Sequence, residues 1–222
     1  MNYFAHGLPH LEDPYLLAGT AVPDWLNVAD RGVRVRSKQA ALFVEGSEER
    51  VCRVARGIVE HHRDDAWFHE TAAFHELCWQ FTALLKDLLA DDEGFRPSFL
   101  GHILVEILLD AGLIARQPAR LEEYYRAMES IDAAAVQDAV NRMAARATDR
   151  LALLIPLFCR ERFLWDYLDD GKLLVRLNQV MRRVRLPLLP DALVEVFPEA
   201  RRTIAARTDE LLAVRRSQEH LP

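Results

Sequence analysis

Apolar residues recur at helical spacing along almost the whole chain, and no segment alternates apolar and polar residues with a period of two. Asp13-Pro14 opens a helix through Tyr15-Leu16-Leu17-Ala18-Gly19, with Asp as N-cap and Pro in the first turn, and Pro23-Asp24-Trp25 breaks or reorients it. After the turn Glu45-Gly46-Ser47, Ser47 caps a helix whose apolar stripe is Val51, Val54, Ala55 and Ile58. That helix runs into His61 to Asp65, and the poor helix formers Arg63-Asp64-Asp65 offer a break before His69, which would then reach a metal from another direction.

Residues 70–90 form a long amphipathic helix on Phe74, Leu77, Cys78, Phe81, Leu84, Leu85 and Leu88, with His75 on its surface, and Asp91-Asp92-Glu93-Gly94 is a turn. Pro97 opens the next helix and Gln117-Pro118 ends it. Helices follow over 121–128, 133–147 (Asp132 as N-cap), 148–168 (kinked or split at Pro156), 172–185 and 191–216, with turns at Asp169-Asp170-Gly171 and Pro187-Leu188-Leu189-Pro190. The expected fold is all-α: one bundle-like multi-helix domain over 1–222 with a buried metal site. Its metal-site half covers about 1–116 and a helical C-terminal half about 117–222.

Against this background the polar residues inside apolar stretches stand out. His61, Asp65 and His69 are spaced by four and fall on one helix face, which makes a chelating stripe; Asp64 is off that phase. The run 99–111 is almost wholly apolar, and its only ionisable residues, His102, Glu106 and Asp110, are again spaced by four. A buried carboxylate left unpaired costs several kcal/mol, so this second stripe calls for a metal, an Arg or a water-filled cleft. The plainer alternative is a buried His102 satisfied by Glu106, with His61 to His69 as a solvated face.

Composition narrows the chemistry. The chain has 222 residues, half of them hydrophobic, and a formal net charge of −6, so no global basic field draws it to nucleic acid. Its three cysteines, Cys52, Cys78 and Cys159, are too scattered for a disulfide framework or a thiolate metal site. A set of His and carboxylate donors suits divalent Mn, Fe, Ni or Zn. Met1 to His10 has neither the basic nor the apolar region of a signal peptide, and the apolar run near 99–115 is interrupted by charges and glycines. A cytoplasmic protein without a membrane span is therefore expected.

Several of these residues resemble one enzyme family. Met1-Asn2-Tyr3-Phe4-Ala5-His6, then Gly19 and Asp24-Trp25, resemble the start of acyl-carrier-protein phosphodiesterases, which begin Met-Asn-Phe-Leu-Ala-His and carry Gly and Asp-Phe at the same distances. Gly57-Ile58, His61, Arg63 and Asp65 resemble that family's Gly-Ile-x-x-His-x-Arg-x-Asp, His102 falls where the family has a His in an apolar helix, and Leu177-Asn178 resembles its Leu-Asn. The family is similar in style to the helical HD-type phosphohydrolases. The resemblance implies a divalent metal, often manganese, and hydrolysis of the phosphodiester that joins phosphopantetheine to a carrier-protein serine. It makes His6, Asp24, His61, Asp65 and His102 the implied site residues.

His69 and Glu106 lie outside that pattern, and with them the order of ligands looks like the helical zinc phospholipase C and single-strand nuclease group. The expected reaction is attack of metal-activated water on a phosphate ester. Asp24 would orient the water, Arg63 would neutralise phosphate charge, and His62 or His69 would give the leaving group its proton. His10 and Asp110 are weaker candidates. The basic cluster Arg176, Arg182, Arg183 and Arg185 would receive an acidic carrier protein or form a plain solvated face, the second being favoured. The rival classes are a metal-stabilised helical protein without a reaction and a metal-free helical binding module.

Overall fold

The structure is a computed structural model that describes residues 1–89 and 94–213. The described residues are helical, with no strand among them. In chain order the α-helices are α1 (Tyr3–Gly7), α2 (Pro14–Ala29), α3 (Ser37–Ala40), α4 (Glu49–Glu70), α5 (Ala72–Leu88) and α6 (Pro97–Arg116). They are followed by α7 (Pro118–Glu129), α8 (Ala133–Met143), α9 (Leu151–Glu161), α10 (Asp170–Val184) and α11 (Phe197–Leu211). Short 3-10 turns occupy Leu8–His10, Ala41–Phe43, Phe163–Leu168 and Asp191–Val196. Of the turn expected at 91–94, residues 91–93 lie outside the described residues, as does the end of the helix expected over 191–216.

Side-chain caps set several of these boundaries. Asp13 Oδ1 accepts from Leu16 N at the start of α2, Thr71 Oγ1 from Phe74 N at the start of α5, and Asp132 from Ala134 N and Ala135 N at the start of α8. Asp169, expected in a turn, caps α10. The structure also corrects expected breaks. Pro23 lies inside α2, and Pro156 lies inside α9 without ending it. The break in that region comes instead at Arg162, whose φ of 46° is left-handed. Arg185, also left-handed at φ 61°, ends α10. The 22-residue α4 begins at Glu49, two residues after Ser47, and runs unbroken through Arg63-Asp64-Asp65 to Glu70. Tertiary packing outweighs the weak propensity of that run, since Asp64 and Phe68 are both buried.

The chain forms two compact units, each drawing on both halves of the sequence. The first comprises Asn2–Ala66 and Gln117–Phe163; the second comprises Met1, Trp67–Arg116 and Leu164–Pro222. In the first unit α2 packs against α1, α7, α8 and α9. Its core is an aromatic cluster in which Phe158 stands 5.2 Å from Tyr3, 5.3 Å from Trp25 and 5.9 Å from Tyr125, ring centre to ring centre. In the second unit α5 lies along α6 and α11 packs on both. Phe74, Leu77, Phe81 and Leu85 of α5, Leu100, Leu104 and Leu108 of α6, and Phe197, Ile204 and Leu211 are buried there. Helix α6 is long and apolar enough to cross a membrane by length and composition, and most of it is buried.

Candidate metal centres

The first site begins with two glycines. A Cβ built on Gly57 of α4 would fall against the backbone oxygen of Leu16 and 2.7 Å from Gly19 Cα, so neither position leaves room for a side chain and α2 and α4 meet backbone to backbone. One turn beyond Gly57, this close approach lets His61 Nδ1 reach the backbone oxygen of Thr20 on α2 at 2.9 Å. Pro23 has no N–H for the carbonyl of Gly19 and its ring crowds that turn, which is the turn holding the Thr20 carbonyl. A carbonyl only accepts, so Nδ1 carries a hydrogen, and Nε2 is the nitrogen that donates to Asp65 when His61 is protonated and offers a lone pair when it is neutral.

Nε2 faces Asp65, one turn along α4, and lies 3.4 Å from Oδ2. From α1, His6 brings its Nε2 to 3.1 Å from Asp65 Oδ1. The two imidazoles stack at 4.1 Å between centres. On its other edge, His6 Nδ1 lies 3.5 Å from Oδ2 of the buried Asp64. The expectation that Asp64 stands outside the site is therefore revised: helical phase keeps it off the Asp65 stripe, but His6 meets it from a different element. One donor atom each from His6, His61 and Asp65 lies within 4.8 Å of the others. Donors bound at about 2.1 Å to one ion are roughly 3–3.5 Å apart, which matches the two distances to Asp65.

The electrostatics agree with a cation-binding group. Burial pushes the Asp65 carboxyl up, but hydrogen bonds from His6 and His61 outweigh it and hold the group far below the usual carboxylate range. Burial pulls His61 down, and the hydrogen bond to Asp65 with the charges of Asp24 and Asp65 raises it above its ordinary value. His6 and His61 are buried, while the Asp65 side chain is 30% exposed, so solvent reaches the group from the Asp65 side.

The remaining residues singled out in the sequence fall in different places. Asp24, half-buried, acts on His61 through its charge. His62 Nε2 donates to the Val35 backbone oxygen at 2.9 Å and burial lowers its pKa, so its neutral ring ties α4 to the segment before α3. With its one proton committed to Val35, the acid role expected of His62 does not follow from this geometry. Arg63 is exposed and pairs with Glu60 on its own helix. His10 sits in the 3-10 turn after α1, and Asp110, fully buried on α6, belongs to neither donor group found among the described residues.

In the second unit His69, His102 and Glu106 form their own group. Glu106 Oε1 lies 2.9 Å from His69 Nε2, 3.2 Å from His102 Nε2 and 3.0 Å from the Met1 ammonium. Burial raises the Glu106 carboxyl, and the ammonium and the two histidines bring it well below its ordinary value. Burial and the Glu106 charge push the Cys78 thiol up to about 12, so it stays protonated and the site's donors are nitrogen and oxygen. Of the basic cluster, Arg176 is held by Asp166 at 2.8 and 2.5 Å, while Arg182, Arg183 and Arg185 are exposed. Asn178 uses its amide to bracket the backbone of Leu189.

Comparison with protein-family models, curated proteins and solved structures gives no match.

Proposed function

We propose that this chain is a metal-dependent phosphohydrolase acting on phosphodiesters, with His6, His61 and Asp65 as the ligands of its reactive ion. The carrying observation is the orientation of the two imidazoles. Both turn Nε2 toward one ionised carboxylate, while Thr20 and Asp64 face their Nδ1 atoms. The Thr20 hydrogen bond is an outer partner of the kind that fixes the tautomer of a metal-binding histidine, and Asp64 places a carboxylate 3.5 Å from the corresponding atom of His6. An ion of the Mn, Fe, Ni or Zn class held there supplies a low-pKa water and polarises a phosphoryl oxygen.

The protein residues do the rest. Asp65 presents the group to solvent, and buried His6 and His61 close it from behind. Asp24, whose charge acts on His61, would orient the attacking water. Arg63 is free to leave Glu60, since an exposed pair of this type is worth under about 1 kcal/mol, and a guanidinium on a phosphate is then the better pair. The resemblance to acyl-carrier-protein phosphodiesterases names the first substrate to try, a holo-carrier protein, and the similarity to the zinc phospholipase C group names the second class, phospholipid or nucleotide diesters.

The test is metal analysis of untagged protein followed by hydrolysis of a bis(p-nitrophenyl) phosphate reporter and of holo-carrier protein. The expected result is bound divalent metal and turnover that His61→Ala and Asp65→Ala both abolish. A chain that takes up no metal on reconstitution, or whose turnover survives Asp65→Ala, overturns the reading.

A further inference from the structure

We infer that His69, His102 and Glu106 bind a second divalent transition-metal ion, with zinc as the best-matched ion, independently of the His6-His61-Asp65 group. The resemblance that pointed to the first group does not contain His69 or Glu106, so the inference rests on geometry. Three nitrogens converge on one oxygen: His69 Nε2, His102 Nε2 and the Met1 ammonium all lie within 3.2 Å of Glu106 Oε1. One carboxylate oxygen has two lone pairs. The Met1 ammonium and His69 hydrogen-bond to it and occupy both, and His102 Nε2 is a third nitrogen 3.2 Å away. Hydrogen bonding alone therefore accounts poorly for the convergence. An ion held by the two Nε2 lone pairs and Glu106 leaves Oε1 with a single N–H donor.

The rings are also fixed in advance. Phe74 packs on His69 at 4.8 Å and edge-on against His102 at 5.0 Å, and the two imidazoles are 4.9 Å apart. Helix geometry contributes as well, because His102 and Glu106 are one turn apart on α6. Two imidazoles and one glutamate are a donor set of open zinc sites, in which the fourth position holds water or substrate. Exposure supports an open position: the His69 and His102 side chains are 34% and 42% accessible.

The test uses the full chain with zinc or cobalt(II) as probe. At saturation the wild type is expected to bind two equivalents. His102→Gln and Glu106→Gln should each leave one, and Asp65→Asn should also leave one, lost from the other group. In unaltered protein, zinc should protect His69 and His102 from acylation by diethyl pyrocarbonate. That readout does not depend on any variant folding. A wild type that saturates at one equivalent removed entirely by Asp65→Asn, or equal acylation of both histidines with and without zinc, overturns the inference and leaves the phosphohydrolase reading standing. Two equivalents bound without phosphodiester turnover would instead support this site and sink that reading.

Discussion

The contact between Gly19 and Gly57 permits a sharp test, because replacing glycine by alanine in a helix normally helps. An open helical position gains about 0.8–1.0 kcal/mol from that change. Gly112 of α6 is such a position, with nothing within 4 Å of an added Cβ, so Gly112→Ala should stabilise the protein by about that amount. At Gly57 the added carbon would sit 2.7 Å from Gly19 Cα and against the Leu16 carbonyl. Carbon atoms rest at about 3.5–4.0 Å, so roughly 1 Å of extra separation is required. The obstruction is backbone, which no rotamer change relieves. Overpacking of this kind costs about 1–3 kcal/mol, enough to cancel the propensity gain and leave Gly57→Ala less stable than the wild type.

The same displacement pulls Thr20 away from His61 Nδ1. Loss of such an outer partner weakens metal binding about 10–100-fold. The assays are urea unfolding of metal-free protein and competition with a chromophoric chelator, with Gly112→Ala as the matched control. If Gly57→Ala equals Gly112→Ala in stability and retains wild-type metal affinity, the close approach does not position the site and the reasoning fails.

Other outcomes follow from the same geometry. Asp65→Ala should abolish metal uptake at the first group and Asp64→Ala should weaken it by about 10–100-fold; wild-type affinity in Asp64→Ala would remove Asp64 from the site. Asp65 and Glu106 have depressed pKa values, so in the metal-free protein their contribution is present above their ordinary values of 3.8 and 4.5 and is lost as pH falls. His61 has a raised value, so its contribution is present below 6.5 and is lost as pH rises through the folded value. Metal-free stability should therefore be greatest between those limits, and a pH series of unfolding midpoints that climbs steadily through pH 8 would contradict this. Arg63→Ala should leave metal uptake and stability within about 0.5 kcal/mol of wild type while raising KM for phosphodiesters, and an unchanged KM would take Arg63 out of substrate binding. Arg185→Gly should stabilise by roughly 0.5–1 kcal/mol, because glycine adopts left-handed backbone at a helix end without the Cβ penalty; a lower melting temperature would refute it.

The helical class and the two i, i+4 pairs His61–Asp65 and His102–Glu106 were legible because both depend only on spacing. Four residues bring His61 to Asp65 and His102 to Glu106 whatever the rest of the chain does. Division of the donors was not legible. His69 keeps the phase of His61 and Asp65 along α4, yet its Nε2 meets Glu106 of α6, and helical periodicity carries no information on which element faces a given turn. His6 was, like His10 and Asp24, only a polar residue near the start that could reach a site until the resemblance singled it out, since a histidine in a five-residue helix has no pattern to mark it. Asp64 was missed for a related reason: its partner stands 58 residues earlier in the sequence, and the only local signal was an acidic pair beside a histidine stripe. The run Arg63-Asp64-Asp65 looked like a break because propensity counts each residue as solvated, and burial of Asp64 beside His6 reverses that judgement.

The way the two units share the chain has a consequence for synthesis. The unit holding His6, His61 and Asp65 is completed only by Gln117–Phe163, and the unit holding His69, His102 and Glu106 only by the stretch from Leu164 onward. On a ribosome adding about 5–20 residues per second, roughly 5–20 s separate the emergence of Ala66 from that of Phe163. Throughout that interval the first set of ligands is exposed without its core. A nascent chain ending at Arg116 already carries every proposed ligand, yet it contains neither unit whole. Metal loading of each group is therefore expected only after the later stretch of its own unit has emerged, and fragments ending near Arg116 should be substrates for chaperones and proteases rather than small metalloproteins.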